Sequence, residues 1–113
     1  MEHVTSRWGL LALLALRDGD ARFGALRRRV RGVSEKMLAK TLQALERDGF
    51  VHRAAQATIP PRVDYSLTPL GAEAAGRLWA VIELLEGRMP AILAAQDRYD
   101  KARPARAPSP TGG

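Results

Sequence analysis

The segment from Arg22 to Gly71 restricts the fold of this chain more than any other part of the sequence. Its apolar spacing predicts two short helices, then a β-hairpin, then the start of a further helix. Between Arg22 and Arg62 lie ten Lys or Arg and three Asp or Glu, a net charge of +7, whereas the whole chain carries +6. The excess positive charge is therefore concentrated on one supersecondary unit, as expected of a surface that meets a polyanion.

Two helices joined by a tight turn are predicted inside this segment. Phe23, Leu26 and Val30 recur at helical spacing, which predicts a helix over residues 23–31 that ends at Gly32. Ser34 is suited to cap a second helix, because its hydroxyl can accept a hydrogen bond from the first turn. The apolar stripe of that second helix consists of Leu38, Leu42 and Leu45.

A β-hairpin is predicted after these helices, with strands over residues 50–55 and 63–67. Val63, Tyr65 and Leu67 alternate with polar residues, which is the pattern of a half-buried strand. The loop over residues 56–62 contains two consecutive prolines that cannot join a ladder, so we expect it to be an exposed tip. Thr68 and Pro69 then have the composition of a helix start.

Apolar helices are predicted on both sides of this segment. The first, from about Ser6 to Arg17, is apolar almost all round and needs cover on several sides. Either it is a plain core helix, or it packs on the core with one side and on a second subunit with the other. The last begins at Pro69, is interrupted near Gly87 and Pro90, and runs to about residue 99. Residues 1–100 are expected to form one domain, and 101–113, rich in Pro, Ala and Gly, a disordered basic tail.

Several functional classes are made improbable by composition. The sequence contains no cysteine, which excludes disulfides, thiolate metal sites and cysteine nucleophiles. No nucleophile–base pair, phosphate loop or metal-ligand cluster is present, so we expect no enzyme, no metal and no cofactor. The longest apolar run, residues 9–16, is shorter than the about 20 residues that span a bilayer. With no signal-peptide pattern either, the sequence predicts a cytoplasmic protein without a membrane partner.

The order of elements predicts a mainly α, winged helix-turn-helix fold of the α+β class, with the hairpin as its wing. The second helix of such a pair fits the major groove of double-stranded DNA, and its N-terminal residues meet base edges. Each basic residue also has a simpler explanation as a solvated surface side chain, and Ser34 as a cap alone. The predicted DNA-binding residues are Arg27, Arg28, Ser34, Lys36, Ala39, Lys40, Gln43, Arg53, Thr58 and Arg62.

Three stretches make the chain resemble the HxlR-type winged-helix transcriptional regulators of the broader MarR-like group. They are RWGLLALLALRDG (7–19), RFGALRRRVRGVSEKMLAKTLQALERDGFVHR (22–53) and IPPRVDYSLTPLG (59–71). The resemblance implies a homodimer, paired through the first and the C-terminal helices, on a pseudo-palindromic operator. The residues expected at the dimer interface are Trp8, Leu11, Leu14, Trp79, Ile82, Leu85, Met89 and Ile92. Some relatives sense oxidants through an N-terminal cysteine, which this sequence does not have.

Two alternatives accompany the hypothesis of a dimeric, sequence-specific regulator. The first is a winged-helix protein–protein interaction module without specific DNA binding, and the second is an enzyme, which the composition disfavours. A small-molecule effector is a further candidate partner. The surplus of apolar side chains around Trp79 predicts a pocket for an apolar molecule between the first helix and the long helix.

Overall fold

The computed structural model describes residues 6–103, and these form five α-helices and one two-stranded antiparallel sheet. In chain order the elements are α1 (Arg7–Arg17), α2 (Phe23–Arg29), α3 (Glu35–Arg47), β1 (Val51–Gln56), β2 (Arg62–Leu67), α4 (Pro69–Gly87) and α5 (Met89–Lys101). This is the predicted winged helix-turn-helix fold, with helix and hairpin in the expected order. The chain divides after Ala80 into two compact units, so α4 begins in the first and ends in the second.

The core of the first unit is made largely of leucine. The largest fully buried side chains are Leu13, Leu26, Leu38, Leu42 and Leu45. The three leucines of α3 are those of the predicted stripe, and they pack with α1 and α2 in one cluster. Thr41 is also buried, and its hydroxyl donates to the carbonyl oxygen of Met37 at 2.8 Å. Its burial therefore leaves no unpaired polar group.

The turn between α2 and α3 begins earlier than predicted. Helix α2 ends at Arg29 rather than at residue 31, because Val30 leaves the helical conformation, with φ −99° and ψ 88°. The Val30 side chain stays in the core at 2% exposure. The turn then passes through Gly32 at φ +87°, a left-handed conformation that favours glycine. Helix α3 follows, with Ser34 as its N-cap, as predicted.

The wing is a regular hairpin in which Val51 pairs with Leu67 and Gln56 with Arg62. Ala21 adds an isolated antiparallel bridge to Tyr65. The predicted alternation of buried and exposed residues in β2 is wrong, because all residues from Val63 to Leu67 are half-buried. Arg62 and Gln56 bind the Asp64 side chain and cover it, so the polar face is shielded as well.

The start of α4 is fixed against the turn that joins α3 to β1. The Thr68 hydroxyl donates to the Gly49 carbonyl oxygen at 2.6 Å and accepts from the Gly71 amide at 3.0 Å. A Cβ atom at position 71 would overlap the Phe50 carbonyl oxygen. Only glycine fits there without a backbone shift, so the helix leaves the wing from a fixed point.

The second unit consists of the end of α4 and α5. Gly87 ends α4 and Pro90 lies in the first turn of α5, so the predicted interruption is present. Helix α5 extends to Lys101, two residues beyond the predicted end near Tyr99. The sequence predicts a disordered tail over residues 101–113; Lys101 belongs to α5, and residues 104–113 lie outside the described part of the chain. None of the helices within residues 6–103 is both long and apolar enough to cross a membrane.

Candidate nucleic-acid interface

Helix α3 has one buried face and one solvent-exposed face. Its leucines at i, i+4 and i+7 fix the buried side, and the N-cap fixes where the helix starts. The Ser34 Oγ accepts a hydrogen bond from the Met37 amide at 3.1 Å. The exposed face consequently carries four predicted DNA-binding residues at i, i+3, i+4 and i+7, which are Lys36, Ala39, Lys40 and Gln43.

A groove of about 590 Å³ runs along this exposed face, and we call it the α3 groove. Its walls are Phe23, Lys36, Ala39, Lys40, Gln43, Glu46, Arg53 and Tyr65. Arg53 is opposite Tyr65 in the hairpin register, so both side chains point to the face that meets α3. The structure therefore brings five predicted residues, four from α3 and one from the wing, to one open surface with a cationic wall.

Two further arginines of the predicted site lie at a groove on the other face of the hairpin. Arg28 and Arg62 line a second groove, of about 400 Å³, which we call the wing groove. Its other walls are Asp20, Ala21, Arg22, Gly24, Ala25, Arg29 and Asp64. Side chains alternate between the two faces of a strand, so Arg62 and Tyr65 point in opposite directions. The predicted residues therefore form two groups rather than one.

Three predicted residues line neither groove. Arg27 forms an exposed ion pair with Glu35, with 2.9 Å between Nη1 and Oε1. Ser34 is engaged as the cap of α3. Thr58 lies in the loop between the strands, where its hydroxyl donates to the Pro60 carbonyl oxygen at 2.8 Å. This hydrogen bond is internal to the wing tip.

Arg29 differs from its neighbours in the arginine run. Its Nη1 donates to the carbonyl oxygens of Ala15 at 3.1 Å and Gly19 at 3.0 Å, at the C-terminal end of α1. A cation at a helix C-terminus satisfies carbonyls that have no partner inside the helix. Arg29 therefore has a structural role, which the run of arginines in the sequence does not distinguish from phosphate binding.

The two grooves are also lined by charged residues that were not predicted for the site, namely Arg22, Glu46 and Asp64. Glu46 continues the spacing of the exposed face of α3, one turn after Gln43. Asp64 is two residues from Arg62 on one strand, and strand periodicity places both on one face. Both signals are present in the sequence.

A third groove, of about 420 Å³, lies within the first unit beside α1 and is lined by Leu11, Leu14 and Trp79 among others. Arg17 stacks on the Trp79 ring, with its Cζ 5.0 Å from the ring centroid. The groove lies where the sequence predicts a pocket for an apolar molecule. Its occupancy stays a prediction.

The predicted interface residues differ in exposure. In the first unit Trp8 packs partly against the core, whereas Leu11 and Trp79 are each 37% exposed. In the second unit Leu85 and Met89 are exposed, and Ile82 and Ile92 are half-buried. Among the described residues of α4 and α5, five further large apolar side chains are exposed but were not predicted at the interface, namely Leu70, Val81, Leu84, Leu93 and Tyr99. Because α4 is apolar on several sides, periodicity alone does not select which of its residues are covered.

Among residues 6–103 no group of three or more His, Cys, Asp or Glu is placed to hold a metal ion. The α3 groove presents the ammonium groups of Lys36 and Lys40, the Gln43 amide and the Arg53 guanidinium beside one carboxylate, that of Glu46. Ammonium, guanidinium and amide donors are suited to phosphate oxygens and to the edges of bases.

Known transcriptional regulators are similar to this chain in sequence and in fold. The HTH-type transcriptional regulator YtfH of Escherichia coli (strain K12) is 54% identical over 97 residues, which are 86% of this chain and 77% of the relative. The solved structure of the transcriptional regulator ytfH from Salmonella typhimurium is 53% identical, with a TM-score of 0.71 over 85% of this chain and 86% of that one.

More distant structures have the same fold. A MarR-family transcriptional regulator from Enterococcus faecalis V583 is 32% identical, with a TM-score of 0.70 over 84% of each chain. The redox regulator HypR in its reduced form is 29% identical, with a TM-score of 0.72 over 82% of this chain and 92% of that one. Residues 3–92 match the profile of the HxlR-like helix-turn-helix family. The chain therefore belongs to the HxlR-like helix-turn-helix family of transcriptional regulators.

Proposed function

We propose that the protein is a sequence-specific regulator that binds double-stranded DNA as a homodimer and reads each half of a pseudo-palindromic operator with α3. The observation that carries the proposal is the α3 groove. It combines lysine and glutamine side chains on one exposed helix face with an arginine from the wing. We further propose that it acts in the cytoplasm, associated with the nucleoid when bound to DNA.

The donors of the α3 groove suit the edges of bases in the major groove. Lysine donates to the O6 and N7 acceptors of guanine, and glutamine pairs with the N6 and N7 of adenine. The Ala39 methyl group is suited to apolar contact with the methyl group of thymine. We assign base reading to Lys36, Ala39, Lys40 and Gln43, and backbone contacts to Arg27, Arg28, Arg53, Thr58 and Arg62. Ser34 contributes by fixing the first turn of α3.

The test is selection of bound duplexes from a randomised library, followed by titrations of the selected and of a scrambled duplex at several salt concentrations. For B-DNA the slope of log K against log salt is about −0.9 for each neutralised phosphate. Lys36→Ala and Lys40→Ala should each cost about 1–3 kcal/mol on the selected duplex. Lys101→Ala is the matched control, because Lys101 is an exposed lysine of α5, paired with Asp97.

A protein–protein interaction module predicts different results. It would select no motif, and Lys36→Ala, Lys40→Ala and Arg62→Ala would leave any residual DNA binding unchanged. Equal affinity of the wild-type protein for selected and scrambled duplexes would refute sequence-specific regulation.

The dimer is supported by apolar side chains that each unit leaves uncovered. Leu11 and Trp79 are exposed in the first unit, and Val81, Leu84 and Leu93 in the second. Exposed apolar patches of this kind mark interaction sites in soluble proteins. A two-fold dimer presents two copies of α3 to two half-sites about one helical turn apart, which makes the operator an inverted repeat. A monomer at micromolar concentration in sedimentation-velocity experiments, or a selected motif without symmetry, would refute it.

A further inference from the structure

The wing groove contains a carboxylate where a DNA-facing surface should favour cations. Asp64 lies among Arg22, Arg28 and Arg62, and its side chain is only 20% exposed. A negative charge beside a polyanion lowers affinity for any DNA sequence, since like charges repel. Its position therefore requires a reason other than affinity.

The hydrogen bonds of Asp64 provide that reason. Its Oδ1 and Oδ2 accept from the Nε of Arg62 at 3.1 and 3.0 Å, and Oδ2 also accepts from the Nε2 of Gln56 at 2.9 Å. Ala54 is opposite Asp64 in the hairpin, and Gln56 is its diagonal neighbour. A diagonal neighbour on the same face lies within reach of a long side chain, and Gln56 makes this contact with the carboxylate.

This network fixes both residues that close the wing. Gln56 and Arg62 form the last paired position of the hairpin, directly before the loop of residues 57–61. Arginine has five N–H donors, and the bonds to Asp64 use only the one on Nε. The donors on the two Nη atoms are left for a further partner, and a phosphate oxygen is the partner that a guanidinium fork suits.

We propose that Asp64 is a positioning residue for DNA specificity: it holds the Arg62 guanidinium at one place on the wing, so that Arg62 contacts a phosphate only when α3 is in register with its bases. The proposal rests on the proposed function. Phosphate contacts carry no sequence information themselves, but they set the register and orientation of the protein on the duplex. A mobile Arg62 would find a phosphate on any duplex, whereas a fixed one favours the aligned complex.

The experiment compares affinities for the selected and the scrambled duplex in the full chain, with the ratio of the two as the readout. Asp64→Asn removes the charge and keeps the size of the side chain. We expect the ratio to fall about tenfold, equivalent to about 1.4 kcal/mol. Affinity for the scrambled duplex should stay the same or increase, because a like charge has been removed.

Variants of Arg62 separate positioning from a general charge effect. Arg62→Lys keeps the charge but replaces the fork by a point charge, so it should lower the ratio as much as Asp64→Asn does. In an Arg62→Ala background, Asp64→Asn should leave the ratio unchanged. Glu73→Gln is the control, because it removes an exposed carboxylate paired with Arg77 on α4 that lines neither groove.

Three results would overturn the inference. The first is a parallel rise of both affinities in Asp64→Asn, which indicates plain electrostatics. The second is a parallel fall with a lower unfolding temperature, which indicates a purely structural role. The third is an unchanged ratio in Arg62→Lys, a variant that retains the strand and does not depend on how Asp64→Asn folds. If the wild-type protein itself does not prefer the selected duplex, the proposed function fails instead.

Discussion

The two units of the chain differ in how far their leucine side chains are buried. In the first unit Leu13, Leu26 and Leu38 are completely buried. In the second, which begins at Val81, Leu84 and Leu93 are each 55% exposed, and no residue of α5 is buried. Both units are helical at these positions, so the difference lies in what covers the helices and not in secondary structure.

This difference indicates which of the two units covers its apolar side chains without a partner. The first unit encloses a core of its own, although Leu11, Leu70 and Trp79 are exposed, and its surface carries the two basic grooves. An isolated pair of helices gains little stability from hydrogen bonding alone, and most helical stability in proteins comes from packing an apolar face. The second unit therefore has the composition of an assembly surface, consistent with the proposed dimer.

Leu38→Ala tests the buried core of the first unit, and it should have the largest effect on the free energy of unfolding. Removing a fully buried leucine forfeits its transfer free energy and leaves a cavity, so the free energy of unfolding should fall by about 2–5 kcal/mol. Gln43→Ala, on the exposed face of α3, should change it by less than about 0.5 kcal/mol. Urea unfolding followed by circular dichroism measures both. Equal losses would show that α3 does not have one buried and one exposed face.

Leu85→Lys tests whether the exposed apolar residues of the second unit form the proposed dimer interface. Leu85 is 49% exposed, and full burial of a leucine contributes roughly 1.5–3 kcal/mol, so the dissociation constant of the dimer should rise roughly ten- to a hundredfold. Glu86→Lys is the control, since it introduces the same side chain one residue away without removing apolar surface. Analytical ultracentrifugation over a concentration series gives the constants. An unchanged dimer in Leu85→Lys would remove this residue from the interface.

Ser34→Ala tests how much an N-terminal side-chain cap contributes to the stability of a helix in the first unit. In the first unit α1, α3 and α4 begin with side-chain caps from Ser6, Ser34 and Thr68. Arg22 makes no capping hydrogen bond for α2, and Arg88 makes none for α5 in the second unit. Losing the cap should cost about 1 kcal/mol of stability, and Arg88→Ala should cost none of this. If Ser34→Ala weakens DNA binding without lowering stability, Ser34 acts through direct contact with DNA instead.

The smallest effects are expected for ion pairs, which should not distinguish the units. Glu73 pairs with Arg77 at 3.1 Å in the first, and Asp97 with Lys101 at 3.0 Å in the second. Both pairs are exposed and four residues apart on a helix, a geometry that contributes about 0.3–0.5 kcal/mol. Glu73→Gln and Asp97→Asn should therefore lower the unfolding midpoint in urea slightly and equally. A larger loss in either unit would mean that charge pairing contributes to the difference between them.

Much of the first unit could be predicted because its signals are local. The stripe of α3, the cap at Ser34 and the helix start at Thr68 follow from spacing and from side-chain chemistry within a few residues. The early end of α2 could not be predicted, because Val30 stays apolar and buried while its backbone leaves the helix. Its conformation is decided by the core that it enters, and a periodic pattern does not contain that information.

The candidate site was only partly predictable for a related reason. Spacing places Lys36, Lys40 and Gln43 on one face, and the structure confirms that arrangement. The division of Arg53 and Arg62 between two faces of the hairpin depends on strand register, which the sequence leaves open. The role of Arg29 could not be predicted at all. Its partners are the carbonyl oxygens of Ala15 and Gly19, and backbone acceptors have no signature in the sequence.

Gly71 has a consequence for how this chain can vary. The Phe50 carbonyl oxygen occupies the space where any side chain would begin, whereas a Cβ at Gly76 or Gly87 would meet open space. Of the three glycines in this helix, Gly71 therefore has no room for a Cβ, whereas Gly76 and Gly87 both have it. Across descendants of this sequence, the later two positions are free to drift, and position 71 is closed to all nineteen other amino acids for as long as α4 starts where it does.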